Sequence, residues 1–250
     1  MDMPRLLDLF CGAGGATRGY QLAGFYVVGV DNRPQPNYCG EAFMQMDALE
    51  ALRILIAGGC ITDNTGRNWY LSDFTAIHAS PPCQAYIKGL CELNRLLGRE
   101  LKHPKLIEPT RDLLVRTGKP YVIENGIHAP LHNPTLLCGS SFGLKVRRHR
   151  HFETNWFLMG TPCWHAHQNK AIYPCAFGKA GYRNKGRESE RPLSVVVQVY
   201  GKSKGRELWP DAMGIDWMIG DEFSQAIPPR YTEFIGKQLL NTLPAASPAE

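Results

Sequence analysis

Several things are missing from this 250-residue sequence. No apolar run approaches the roughly 20 residues that a membrane-spanning helix needs. The opening MDMPRLLDLF lacks the basic, apolar and small-residue order of a secretory signal. The eight cysteines, at positions 11, 39, 60, 83, 91, 138, 163 and 175, form no CxxC pair and keep no regular spacing. That scatter argues against a disulfide framework and for a reducing, cytoplasmic setting. What is left is a soluble globular chain, 44% hydrophobic, long enough for one sizeable core with a smaller appended lobe.

Net charge is also sparse, at +5, but it is unevenly placed. Between Thr154 and Arg206 stand nine Lys or Arg against two acids, a local +7 that leaves −2 on the rest. The cations include Arg183, Lys185, Arg187, Lys202 and Lys204. A basic segment on a slightly acidic body is the footprint of a polyanion partner, and equally the composition of a solvated loop.

Residues 5 to 10, RLLDLF, predict a strand that feeds into CGAGGATRGYQLAGF, a glycine-rich turn followed by a helix from about Ala16 to Ala23. A strand, a glycine turn and a helix in that order meet a nucleotide-type cofactor, because glycines let the backbone approach it closely. A second strand, YVVGVD, ends on Asp31, 19 residues after Gly12, near the offset at which an acid commonly binds ribose hydroxyls. FMQM predicts another short strand, followed by Asp47. Acids in these places also serve as helix caps.

Farther on, DALEALRILIAGG and LIEPTRDLLVRTG have helical spacing, while FTAIHAS and PYVIENG read as strands. This alternation predicts an α/β, Rossmann-like fold with a mostly parallel sheet, helices on both faces and a small second lobe. In HASPPCQAYI, the run Phe74 to Ile77 reads as a buried strand that Pro81 and Pro82 stop, leaving Cys83 on a stiff turn. A lone free cysteine is usually a small buried hydrophobe. Here, however, the glycine turn, Asp31, Cys83 and Glu124 all fall at predicted strand carboxyl ends and can share one rim.

In that order these residues resemble the cytosine-C5 DNA methyltransferases. The matching elements are DLFCGAGG, Asp31, Asp47, PPCQ, ENG at 124 to 126, RRHRHF and AIPPRYTEFIGKQLL, spanning about residues 5 to 240. The resemblance implies a SAM-dependent methyltransferase fold and methyl transfer from S-adenosylmethionine to carbon 5 of a cytosine flipped out of double-stranded DNA. It assigns Cys83 as the nucleophile, Glu124 as the acid near N3, Asn125 to local geometry, and Arg148 and Arg150 to the base and to orienting Cys83 and Glu124. On the cofactor side it assigns Phe10 and Asp47 to the adenine, Gly12 and Gly14 to the methionine end, Asp31 to the ribose and Pro82 to the adenine pocket. The loop from about Ala85 to His103 would close over the base.

On this reading, residues 1–153 form the catalytic domain, 154–206 a short basic target-recognition segment, 207–242 a return to the catalytic domain, and 243–250 a disordered tail. The chain departs from the family pattern at Val146, where the family has Gln, at Ser224-Gln225, where it has Gly-Asn, and at Ala85-Tyr86 after PCQ. The recognition segment is also compact, which leaves room for a relaxed target sequence, a specificity partner or a cognate restriction endonuclease. The phosphate contacts of such a segment position DNA in a salt-sensitive way without specifying sequence. A monomer is the expected state. RNA is the alternative substrate, since a tRNA-acting relative shares the motif set; a non-catalytic nucleic-acid-binding protein with a SAM fold is the alternative class.

CWHAHQNKAIYPC, residues 163 to 175, offers zinc ligand types in Cys163, His165, His167 and Cys175. The first spacings are tighter than in usual finger patterns, so the expectation is no metal and a polar loop with two partly buried cysteines.

Overall fold

In the computed structural model of the chain, the described residues are 3–86, 103–171, 194–196, 199 and 206–243. The first half runs β1 (Arg5–Leu9), α1 (Gly15–Ala23), β2 (Tyr26–Asp31), β3 (Ala42–Gln45), α2 (Ala48–Ile56), β4 (Ile61–Thr62), β5 (Asn68–Trp69), β6 (Ala76–Ala79), α3 (Ile107–Thr117) and β7 (Tyr121–Asn125). The second half adds β8 (Thr135–Leu137), β9 (Arg150–Thr154), β10 (Gln168–Ala171), β11 (Ser194–Val196), α4 (Trp209–Met213), α5 (Glu222–Gln225) and α6 (Pro229–Leu240). Among the described residues no helix is long and apolar enough to cross a membrane.

Seven strands form one sheet in the order β3-β2-β1-β6-β7-β9-β8. The five from β3 to β7 are parallel, and β9 and β8 close one edge antiparallel. Both faces are covered, which is why the strands read as nearly continuous apolar runs rather than alternating ones. Leu7, Leu9, Val28, Val30 and Ile77 pack against α2 and α3, while Leu6, Val27, Ala76 and Val122 pack against α1 and α6. Sheet order reverses direction between β1 and β6, so the crevice at their carboxyl ends is the topological switch point.

The strand before Cys83 begins two residues later than the apolar run suggests. Leu71–Asp73 form a turn of 3₁₀ helix that buries Phe74, and pairing with β1 starts at Ala76. The antiparallel edge and the β4–β5 hairpin have no clear sequence signal. Buried Asp63 organises the hairpin by accepting hydrogen bonds from Trp69 Nε1 at 2.8 Å and from the Thr65 hydroxyl at 2.6 Å. Burial opposes ionisation of Asp63, but these bonds and the neighbouring backbone N–H groups outweigh it and lower its pKa to about 2. Of the expected small second lobe, the β10–β11 pair is described; residues 172–193, 197–198 and 200–205, the segment 87–102 expected to close over the base and residues 244–250 lie outside the described residues.

Helices α1 and α6, distant in sequence, pack closely. A Cβ at Gly19 would lie 2.0 Å from Thr232 Oγ1 and 2.1 Å from the Pro229 carbonyl oxygen. Only hydrogen fits there, and the Thr232 hydroxyl uses the closeness to donate to the Ala16 carbonyl at 2.8 Å. Gly19→Ala is therefore expected to destabilise the chain by about 1–3 kcal/mol through overpacking against backbone. A drop in the denaturant midpoint, with unchanged slope, is the expected observation.

Candidate active site

The turn after β1 is held in left-handed conformations, with φ of +59° at Phe10, +52° at Gly12 and +92° at Gly14. At Gly14, which starts α1, a Cβ would fall 2.6 Å from Cys39 Sγ, so glycine is required by space as well as by φ. Half-buried Asp31 ends β2 and accepts the Gly12 N–H at 3.0 Å with Oδ2 and the Arg33 N–H at 2.9 Å with Oδ1. The 19-residue offset between glycine turn and acid thus corresponds to a direct hydrogen bond. Asp47 is exposed after β3 and caps α2, accepting from the Glu50 N–H at 2.9 Å. Phe10, Gly12, Asp31, Asp47 and half-buried Pro82 follow or end the adjacent strands β1, β2, β3 and β6. Gly12 has open space beside it and the Asp31 carboxylate accepts its N–H, which leaves room for a nucleoside cofactor at this turn.

The other half of the site stands at the ends of β6 and β7. Asn125 is buried and donates Nδ2–H to the Pro81 carbonyl at 2.7 Å, which pins the proline turn that carries Cys83. Buried Glu124 pairs with Arg150 at the start of β9, Oε1 to Nε 2.9 Å. Burial raises the Glu124 pKa above the ordinary carboxylate range, against the opposing pull of Arg150 and Arg148. Burial likewise raises the Cys83 thiol; Arg150 and Arg148 lower it, and Glu124 adds to the rise. Near neutral pH Cys83 is therefore mainly a thiol, beside a carboxyl whose proton affinity is increased.

Arg148 links three parts of the chain. It sits at a strained φ of +33° and donates from one terminal nitrogen to the Val199 carbonyl and from the other to the Ser224 carbonyl, both at 2.7 Å. Its Nε is shielded from solvent and has no partner among the described residues. Burial, with Arg150 nearby, lowers its pKa to about 9. Tyr231 of α6 donates its hydroxyl toward the carbonyls of Arg148 at 2.9 Å and Arg147 at 3.2 Å, supporting the strained backbone from below.

Sequence reasoning missed a buried polar chain under this rim. Tyr20 of α1 contacts His78 Nδ1 at 3.0 Å, and His78 Nε2 contacts Ser80 Oγ at 2.9 Å. The Ser80 hydroxyl in turn hydrogen-bonds the Glu124 carboxyl. Burial lowers the His78 pKa to about 3, so the imidazole is neutral, with one nitrogen donating and the other accepting. Tyr20 O–H to Nδ1, Nε2–H to Ser80 and Ser80 O–H to Glu124 is the order that gives an ionised Glu124 a donor. An apolar strand containing one histidine, FTAIHAS, was the available signal.

The sequence departures now have physical settings. Val146 is buried with Val199, Trp209 and Met213 in an apolar cluster. Ser224 serves Arg148 through its carbonyl, so its side chain is not what that contact reads. Gln225 accepts from Gln84, the residue after Cys83, at 3.3 Å. Cys163 is exposed rather than partly buried, because residues 161–164 run along the surface. Arg183, Lys185, Arg187, Lys202, Lys204 and Cys175 lie outside the described residues.

The doubly covered parallel sheet and its switch-point crevice give the chain the Rossmann-like fold of SAM-dependent methyltransferases. It is similar in structure to a prophage-encoded E. coli protein described as a DNA modification methyltransferase, with a TM-score of 0.55, 14% identity, and coverage of 95% of this chain and 99% of that one. Entamoeba histolytica methyltransferase EhMeth gives 0.53 at 11% identity, covering 98% and 100%, and S. pombe Dnmt2 methyltransferase 0.50 at 14%, covering 96% and 99%. No family model and no curated protein matches the sequence.

Because Arg150 pulls both the Cys83 and Glu124 pKa values down, Arg150→Gln is expected to raise both. At fixed pH, alkylation of Cys83 by iodoacetamide then slows by about tenfold for each unit gained by the thiol. Peptide mass spectrometry, with the Cys60 peptide as internal reference, measures this.

Proposed function

We propose that the chain is a DNA (cytosine-5)-methyltransferase. The observation that carries this reading is that Cys83, Glu124 and Arg150 stand at the ends of β6, β7 and β9, across the switch point from the glycine turn and Asp31 at the ends of β1 and β2. Phe10, Asp47 and Pro82 would hold the adenine of S-adenosylmethionine, Asp31 its ribose, and Gly12 and Gly14 its methionine end; the bound cofactor supplies the methyl group.

Carbon 5 of cytosine is a poor nucleophile until something adds at carbon 6. Cys83, as the thiolate, adds there. The ring electron pair is pushed toward N3, where protonated Glu124 donates its proton, making carbon 5 enamine-like. After methyl transfer the carbon 5 proton leaves to a base or water, the carbon 6 bond to sulfur breaks with its electron pair going to Cys83 as thiolate, and the N3 proton returns to Glu124. Arg150 holds the Glu124 carboxyl by its ion pair, and Arg148 adds positive potential at the developing charge. Asn125 keeps the proline turn in place. A base inside a duplex cannot reach such a rim, so the substrate cytosine is flipped out of double-stranded DNA. The basic residues Arg183, Lys185, Arg187, Lys202 and Lys204 are assigned to its phosphates, within a recognition segment spanning 154–206.

Incubating the protein with S-adenosylmethionine and either unmethylated duplex DNA or tRNA, then digesting to nucleosides, tests the substrate. We expect 5-methylcytosine from DNA, and none with Cys83→Ala. Product from tRNA alone would move the same chemistry to RNA; undiminished product with Cys83→Ala would overturn the mechanism.

The pH profile tests the proton inventory. The active form pairs Cys83 thiolate with protonated Glu124, the reverse of the ionisation that dominates between their two raised pKa values. In that window the loss of protonated Glu124 cancels the gain in thiolate, so kcat/KM should be level. Glu124→Gln removes the cancellation: activity is lower throughout the acid range and climbs about tenfold per pH unit up to the Cys83 pKa. A level profile in Glu124→Gln would contradict this assignment.

A further inference from the structure

Four soft ligand atoms converge beside the arginine rim, from three separate stretches of chain. They belong to Cys138, His149, Cys163 and His165, and all lie within 4.8 Å of one another. Cys138 Sγ is 3.2 Å from His165 Nε2, and Cys163 Sγ is 3.4 Å from His149 Nε2. Around a tetrahedral zinc ion, with bonds of about 2.3 Å to sulfur and 2.0–2.1 Å to nitrogen, donor atoms stand about 3.3 to 3.8 Å apart. The two sulfur-to-nitrogen edges, at 3.2 and 3.4 Å, are within a few tenths of an ångström of that separation.

Hydrogen bonds also assemble the surrounding segments. The Gly139 N–H donates to the Arg147 carbonyl at 2.7 Å, bringing the Cys138 turn to the chain that carries His149. Ser140 Oγ accepts the Trp164 N–H at 3.0 Å, and Ser141 Oγ donates to the Pro162 carbonyl at 2.7 Å, holding both neighbours of Cys163. Ser140 Oγ also stands 3.0 Å from Cys138 Sγ, placed to donate to a thiolate and so act as an outer-shell partner.

We propose that Cys138, His149, Cys163 and His165 bind one structural zinc ion. Two thiolates and two neutral imidazoles around Zn²⁺ give no net charge. Such a site therefore adds no repulsion beside Arg147, Arg148 and Arg150. His149 lies between the two rim arginines, so the ion braces the strained turn at Arg148 against the loop leading into β10. Four protein ligands leave no open position, which marks the ion as structural rather than catalytic. This ligand set takes only Cys163 and His165 from the cluster suggested by residues 163 to 175; the other two come from 25 and 14 residues upstream of Cys163.

The test uses metal content and spectroscopy rather than activity. Elemental analysis of the purified full chain should give one zinc per chain. Replacement by Co²⁺ should give the visible bands of a tetrahedral ion together with thiolate-to-cobalt charge transfer. Cys138→Ser and His149→Ala should each lose metal affinity by at least about 10-fold, while His167→Ala and Cys175→Ser retain it. If a variant fails to fold by circular dichroism, the wild-type charge-transfer intensity still reports two coordinated thiolates. Zinc-free protein that takes up neither ion would overturn the site. So would a Cys138–Cys163 disulfide in reduced preparations, or metal lost with Cys175→Ser and kept with Cys138→Ser.

Discussion

A buried carboxyl beside a partly exposed guanidinium sets the terms for the rim. Glu124 is buried, and its pairing with Arg150 offsets part of the cost of burial. Arg150 can stand there only because β9 runs antiparallel along β7, placing Phe152 opposite Glu124 and Arg150 just past the last pair. The same register carries Arg148 to the Val199 and Ser224 carbonyls. Asn125, next to Glu124, ties the proline turn, so one short strand end fixes both the carboxyl and the thiol loop.

Much of the frame was legible because its signals are local. The strand, glycine turn and helix, and the acid 19 residues later, declare themselves in consecutive residues, and the structure turns that spacing into the Gly12–Asp31 hydrogen bond. Alternating helix and strand patterns gave the parallel sheet for the same reason. The candidate nucleophile could be singled out because it falls at a predicted strand end alongside the glycine turn, Asp31 and Glu124, although the strand before it is shifted by two residues toward Cys83.

What was not legible depends on residues far apart in sequence. Nothing near Tyr231 says that its hydroxyl will meet the Arg148 carbonyl 83 residues away. The antiparallel edge formed by β8 and β9 consists of short segments whose pairing partners decide their geometry. Asp47 shows a different ambiguity: a carboxylate after a strand reads equally as a ligand or as a helix cap, and here its visible partner is the Glu50 N–H. Nothing in the sequence pairs His78 with Tyr20, 58 residues away, and that contact comes from the packing of α1 against the sheet.

The glycine-lined contact between α1 and α6 also orders events in time. Their bond from Thr232 to Ala16 spans 216 residues, which a ribosome working at about 5–20 residues per second takes roughly 10–40 s to synthesise. Throughout that interval the apolar face of α1, with Ala16 and Tyr20, has no α6 to cover it. The nascent chain therefore presents a sticky helix first and gains the support under Arg148 only once α6 has been made.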